Sequence, residues 1–397
     1  MNEDIKDTIQ KCIDRALERR ELAGCSFCLM QGGTEQFYTG SGYADLVAGK
    51  PISRGNIYRL YSMSKPVTAA AMMALVEDGY IDLQDPVYRY FPSFRHQSYV
   101  TQDGDVHPVD DEHVMLIRDL MNMTSGLVYP DNTTQPGRET DAVYQDAIQR
   151  LGTGHGMSTA EFAERIGECT LLFQPGTGWN YSVSADIAGA VIEKATGIRF
   201  GDYLKERLFD PLGMVDTDFS VPAHKHDRLV VAYQNENDQE GAPLIPYTGN
   251  HLAIRNDGGE NAFESGGAGL FSTLDDYRRF ASMLLNGGTA ENGRQILRPG
   301  TVHYLTGGRL SHQQQEYFDR WRGLSGHTYA NFNRVMTDPA QAVTIGHKGE
   351  YGWDGWLGVY FSNDPECRQT MLLMLNQKDY GTHRLTRQLR NIVNSTC

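Results

Sequence analysis

The chain has 397 residues, 40% of them apolar and 22% charged, the proportions of a globular protein large enough for two lobes around a substantial core. A formal net charge of −14 argues against nucleic acid or an anionic membrane surface as a main partner. No apolar run is long enough for a membrane-spanning helix.

Residues 1–21 alternate charges with Ile5, Ile9, Ile13 and Leu17 at helical spacing. This predicts an amphipathic helix in place of a secretory leader, and with it a cytoplasmic protein. Strands are predicted over 25–30 and 36–43, joined by the hairpin signal Gly32-Gly33. The six cysteines, at 12, 25, 28, 169, 367 and 397, are too scattered to read as a disulfide framework. Cys25 and Cys28 lie three apart in a strand, so they face opposite ways, and no second ligand pair follows at metal spacing. They are expected to be buried free thiols.

Residues 57–61 form a short apolar-aromatic run that ends at Ser62, and an alanine- and methionine-rich helix follows to about Asp78, capped by Gly79. Ser62 and Lys65 stand three apart at the head of this helix, within reach of each other on one face. A serine needs a base to take its proton, and a lysine is that base only when burial or a nearby cation lowers its pKa. The first turn of a buried helix offers both conditions. Pro66 cannot donate to the carbonyl of Ser62, so the backbone there should depart from ideal helix. Ser64 is no rival, because adjacent residues diverge on a helix.

Residues 81–94 carry Pro86 and Pro92 and read as turns, and 99–114 as a small polar hairpin around Asp103-Gly104. Helices are predicted over 117–123, 142–151, 160–169, 185–195 and 200–209, the fourth preceded by a Pro175-Gly176 turn and Tyr181. Beyond residue 229 strands are predicted over 229–233, 328–336, 342–345, 356–361 and 370–375, with helices over 274–285 and 384–393. Strands at both ends and helices between predict one sheet assembled from both termini, residues 1–78 with 260–397, and an inserted, mainly helical lobe, 79–259.

Three separated stretches then belong together: Ser62-x-x-Lys65, Trp179-Asn180-Tyr181-Ser182-Val183, and Gly346-His347-Lys348-Gly349-Glu350. In this order they resemble the serine β-lactamase and penicillin-binding-protein superfamily, in its class C-like branch with the family VIII carboxylesterases. Further segments carry the same resemblance: Leu120 to Leu127 with Thr124-Ser125-Gly126, Phe173-x-Pro175-Gly176, Asp210-Pro211-Leu212-Gly213-Met214, and Gly266 to Thr273. The resemblance implies an antiparallel sheet flanked by helices plus the helical lobe, and an acyl-enzyme on Ser62 with Lys65 and Tyr181 as the proton-transfer pair. It places the oxyanion donors at the backbone N–H groups of Ser62 and Glu350. Gly349 is expected on a strand where the backbone approaches the substrate.

Two departures bear on the substrate. Val183 stands where an amide-cleaving relative has asparagine, and His347-Lys348-Gly349 where it has Lys-Thr-Gly or Lys-Ser-Gly. Strand parity would point Lys348 away from the face used by His347. Val183, His347, Gly349, Trp353 and Tyr129 are therefore the expected substrate-contacting residues, with Tyr351, Trp353 and Trp356 divided between pocket wall and sheet core. An ester has a better leaving group than an amide and needs less positional help. The expected protein is a serine hydrolase acting on a small-molecule ester, foremost a short-chain carboxylesterase, with no metal or cofactor. A β-lactamase or D-amino-acid peptidase taking an amide, and an acyltransferase, are the alternatives.

Overall fold

The computed structural model describes residues 3–101 and 103–397. Alternation in the strand Gly24–Gln31 organises its centre: Cys25, Phe27 and Leu29 point to one face of the sheet, and Cys28 and Met30 to the other. This strand pairs antiparallel with Gln369–Met374 on one side (Phe27 opposite Leu373) and with Thr34–Asp45 on the other. The sheet has eight strands, in the order 327–330, 333–336, 351–354, 360–364, 369–374, 24–31, 34–45, 50–51, so residues from both ends of the chain build it. Helices Glu3–Glu18 and Arg384–Asn394 cover one face, burying Ile9, Ile13, Leu385 and Leu389. The other face packs on the helix Leu274–Leu285, where Tyr277 lies 5.2 Å, ring to ring, from Phe361, and the helix Ser64–Glu77 is buried at every residue from Ser64 to Leu75. A helix apolar all round has no solvent face to present, and this one lies in the core.

Between these halves come the helices Ile117–Met121, Gln135–Gln149, Thr159–Gly167 and Ser184–Thr196, the last packed against Ser64–Glu77. The hairpin over 99–114 is present as Ser98–Val100 paired with Val106–Pro108. No helix among the described residues is long and apolar enough to cross a membrane.

Several expectations are corrected. The run 328–336 is two strands, His327–Ala330 and Asn333–Met336, because Asn331 (φ 46°) and Phe332 (φ 64°) turn the chain in left-handed conformations. Residues 342–345 form no strand, and the 356–361 strand lies instead at Tyr360–Asp364, since residues 355–358 close a turn. The strand Tyr351–Asp354 was missed because Gly352 interrupts its pattern; a Cβ there would lie 2.1 Å from the Phe361 carbonyl oxygen. Helices Pro299–Gly307 and His312–Phe318 were also missed, although the second opens with a Ser311–Gln314 capping box legible in the sequence. Cys25 and Cys28 are buried free thiols on opposite faces, as expected. Cys367 and Cys397 instead form a disulfide, because the C-terminal helix returns the last residue to the turn after Tyr360–Asp364.

Candidate active site

The strand Ile57–Arg59 pairs with Phe271–Thr273, and the amide of Leu60 donates to Leu270 O at 2.8 Å, which fixes the chain as it enters the turn that carries Ser62. Tyr61, a bulky residue, then adopts φ 43°, and residues Tyr61–Met63 form one 3-10 turn before the α-helix begins at Ser64. Strained backbone of this kind persists only where the surroundings impose it. Here it leaves Ser62 partly exposed between buried neighbours.

Lys65 is fully buried, and its Nζ lies 3.1 Å from Ser62 Oγ, 2.9 Å from Tyr129 OH and 2.8 Å from Gly267 O. A neutral amine has two hydrogens and one lone pair, so one of these three neighbours must donate to it. The carbonyl cannot; the hydroxyls of Ser62 and Tyr129 both can, and donation by Ser62 is the contact a general base needs. Burial lowers the Lys65 pKa to about 7, against the opposing pull of Asp186 and Asp354. Tyr181 lies beside it, with Nζ 4.7 Å from the ring centroid, and its hydroxyl accepts from Trp353 Nε1 at 3.0 Å. Burial holds the Tyr181 phenol well above its ordinary range, although hydrogen bonds to Ser62 and Trp353 work the other way. Of the two groups, Lys65 is therefore the one that loses its proton near neutrality.

The helix Ser184–Thr196 positions this arrangement from behind. Asp186 Oδ1 accepts from the amide of Gly267 at 3.0 Å and from the Ser265 hydroxyl, holding the Gly267 carbonyl against Lys65. Ser64 is buried and accepts from Leu270 N at 3.1 Å, a structural bond. Tyr129, expected only at the pocket wall, is a direct partner of Lys65. Trp321 was missed altogether: it is 42% exposed and lies 5.3 Å, ring to ring, from Tyr181. Its polar surroundings in the sequence carry no signal for this contact.

The third stretch is corrected. Residues 346–350 make a turn, so strand parity does not apply to Lys348. Gly349 is required by φ 92°; a Cβ there would meet open space, so no close backbone approach explains it. His347 Nδ1 is 2.6 Å from Asp364 Oδ2, a contact outside the Ser62 cluster. The Glu350 amide donates to His347 O at 3.0 Å and its carboxylate lies between Arg390 and Arg334, so its N–H is not free for an oxyanion. Val183 is fully buried in the core and does not face a substrate.

The strand that does reach Ser62 is Tyr351–Asp354. At its end a Cβ on Gly355 would lie 2.3 Å from Leu60 O, and the Trp356 ring is 5.1 Å from that of Tyr61. Tyr351 is core, its hydroxyl accepting from Asn363 Nδ2 at 3.0 Å, whereas Trp353 meets the site through Tyr181.

The model of the family described as Beta-lactamase matches residues 9–394. The chain belongs to that family. Protein Rv1367c of Mycobacterium tuberculosis is 30% identical over 348 residues, covering 84% of this chain and 80% of the relative. Esterase EstB of Burkholderia gladioli is 29% identical over 395 residues, covering 96% and 93%. Among solved structures, EstCE1, described as a hydrolase with promiscuous acyltransferase activity, superposes with a TM-score of 0.79 at 24% identity over 98% of both chains. Simvastatin synthase LovD of Aspergillus terreus gives 0.80 at 19% identity, over 100% of this chain and 99% of that one. These two similarities show the shared fold.

In this beta-lactamase-family protein the Lys65 pKa has a direct consequence. Below about pH 7 Lys65 holds its proton and has no lone pair for Ser62; above it the amine is free. The acylation rate with an activated ester should therefore rise with pH and level off above about 7. Stopped-flow acylation rates across neutral pH check this, and a rate that falls through that range would remove Lys65 as the base.

Proposed function

We propose that the protein is a carboxylesterase acting on short-chain esters through an acyl-enzyme on Ser62. The observation that carries this reading is Trp353, which enters beside Tyr181 on the strand nearest the nucleophile. With Tyr129, Tyr181 and Trp321 it makes the wall around Ser62 aromatic. Such a wall supplies apolar contact for an acyl or alcohol group but no dedicated donor for the amide or carboxylate of a peptide-like substrate. Likeness to an esterase at 29% identity, over nearly the full length of both chains, supports it.

In the proposed reaction Ser62 Oγ attacks the ester carbonyl as its proton passes to Lys65 Nζ. The oxyanion is stabilised by backbone N–H groups, Ser62 and residue 356 after the Gly355 approach being the pair we assign. The Lys65 ammonium returns the Ser62 proton, by way of Tyr181, to the departing alkoxide; the same pair then takes a proton from a water that attacks the acyl carbonyl and hands it to Ser62 Oγ as the acid leaves.

A panel of short p-nitrophenyl esters, a chromogenic cephalosporin and D-alanyl amides, assayed with wild type and Ser62→Ala, tests the reading. The ester should lead in kcat/KM by on the order of 10² or more, because nothing in the site replaces the hydrogen bonds an amide substrate needs. Equal rates for cephalosporin and ester would move the protein to the β-lactamases. Transfer to an added alcohol outrunning hydrolysis would move it to the acyltransferases.

A further inference from the structure

Four side chains that the proposed reaction does not use converge where the C-terminal residue meets the turn after the strand Tyr360–Asp364. His347 Nδ1 is 2.6 Å from Asp364 Oδ2 and 3.4 Å from Cys367 Sγ, and Cys367 is bonded to Cys397. The donor atoms of His347, Asp364 and Cys367 all lie within 4.8 Å of one another, and among the described residues no other trio of such side chains does so. Asp364 Oδ1 accepts from the amides of Glu366 (3.0 Å) and Cys367 (3.3 Å). That orients the carboxylate and leaves Oδ2 facing the cluster, the kind of supporting contact that fixes a metal ligand.

The C-terminal helix is held here independently of the disulfide. Ile345 N donates to Asn391 Oδ1 at 2.8 Å, Asn394 Nδ2 donates to Ile345 O at 2.8 Å, and Gln369 Nε2 donates to Asn394 Oδ1 at 3.1 Å. Opening the S–S bond thus leaves Cys397 tethered close to Cys367.

We propose that reduction of the Cys367–Cys397 disulfide creates a binding site for one borderline-soft divalent cation, zinc by preference, with His347 Nδ1, Asp364 Oδ2, Cys367 Sγ and Cys397 Sγ as ligands. A dithiol supplies two electrons and two protons to the S–S bond and is itself oxidised to a disulfide. On metal entry the two thiols release their protons to solvent, and the ion takes the place of the direct His347 Nδ1–Asp364 Oδ2 contact. Two thiolates, one carboxylate and one neutral imidazole form the four-coordinate N/O/S set that zinc favours. With metal–ligand bonds of about 2.0–2.3 Å, tetrahedral donors sit about 3.3–3.8 Å apart. The histidine–cysteine separation already lies in that range, and the histidine–aspartate pair opens by roughly an ångström. While the disulfide is closed only two good ligands remain, so the site is gated by redox state.

The test uses the full chain, reduced with dithiothreitol, desalted without oxygen and titrated with cobalt(II). Reduced wild type should develop the visible bands of tetrahedral cobalt and a thiolate-to-cobalt charge-transfer band, saturating at one equivalent and abolished by zinc. The oxidised protein should show neither. Cys397→Ser and His347→Asn, each checked for wild-type circular dichroism, should bind about 100-fold more weakly or worse. Absence of the bands in reduced wild type overturns the proposal, and so do bands of unchanged strength in both variants, which would place the metal at other thiols.

Discussion

Replacing Ser62 by alanine should lower kcat toward an activated ester by roughly 10⁶ and abolish labelling by a fluorophosphonate, because no second nucleophile is in place to form the acyl-enzyme. Ser64→Ala is the informative control. Its hydroxyl is buried and accepts from Leu270 N, so the change removes a structural bond worth about 1–3 kcal/mol and leaves the Lys65–Ser62 contact untouched. The Ser64 variant should therefore label normally while unfolding at a lower temperature. Peptide mapping of the labelled wild type decides the matter, and an adduct on Ser64 would sink the assignment of Ser62.

The second large effect concerns Lys65 and Tyr181 together. Tyr181→Phe removes one hydroxyl but keeps the ring between Trp321 and Trp353, and Lys65→Met keeps the volume of a fully buried chain while removing the amine. Each should reduce kcat by about 10²–10⁴, the range for a positioned acid or base. The double variant should lose little more than the worse single, since both serve one proton path through Ser62 and such units are strongly non-additive. Losses that multiply in the double variant would show that the two residues act separately. Both singles need a circular-dichroism check, because Lys65 also bonds Tyr129 and Gly267.

Local signals made much of this legible from sequence. The serine–lysine spacing, the all-apolar helix behind it and the tyrosine after a Pro-Gly turn depend on neighbours within a few residues, and residues that close are placed by helix and turn geometry alone. The strand pattern at the two ends likewise foretold a sheet shared by both termini, which the pairing of Phe27 with Leu373 shows. Where the chain turns through left-handed non-glycine residues, as at Asn331-Phe332, no glycine or proline marks the turn, and two strands read as one.

The third motif is where sequence reading failed, for a physical reason. Glycines flanking a polar pair at 346–349 look like a backbone approach, but glycine serves two purposes, and here it supplies a positive φ in a turn. The true approach, at Gly355, is defined by the carbonyl of Leu60, nearly 300 residues away in sequence. Likewise, Trp321 on Tyr181, the bond from Tyr129 to Lys65, the burial of Val183 and the meeting of His347 with Cys367 are contacts between distant segments. The residue types and short spacings determine by themselves that a serine, a lysine and a tyrosine are available for acyl chemistry. Which aromatic rings enclose them, and which strand closes the site, is decided only by how the sheet and the inserted helices pack, because those contacts have no fixed separation along the chain.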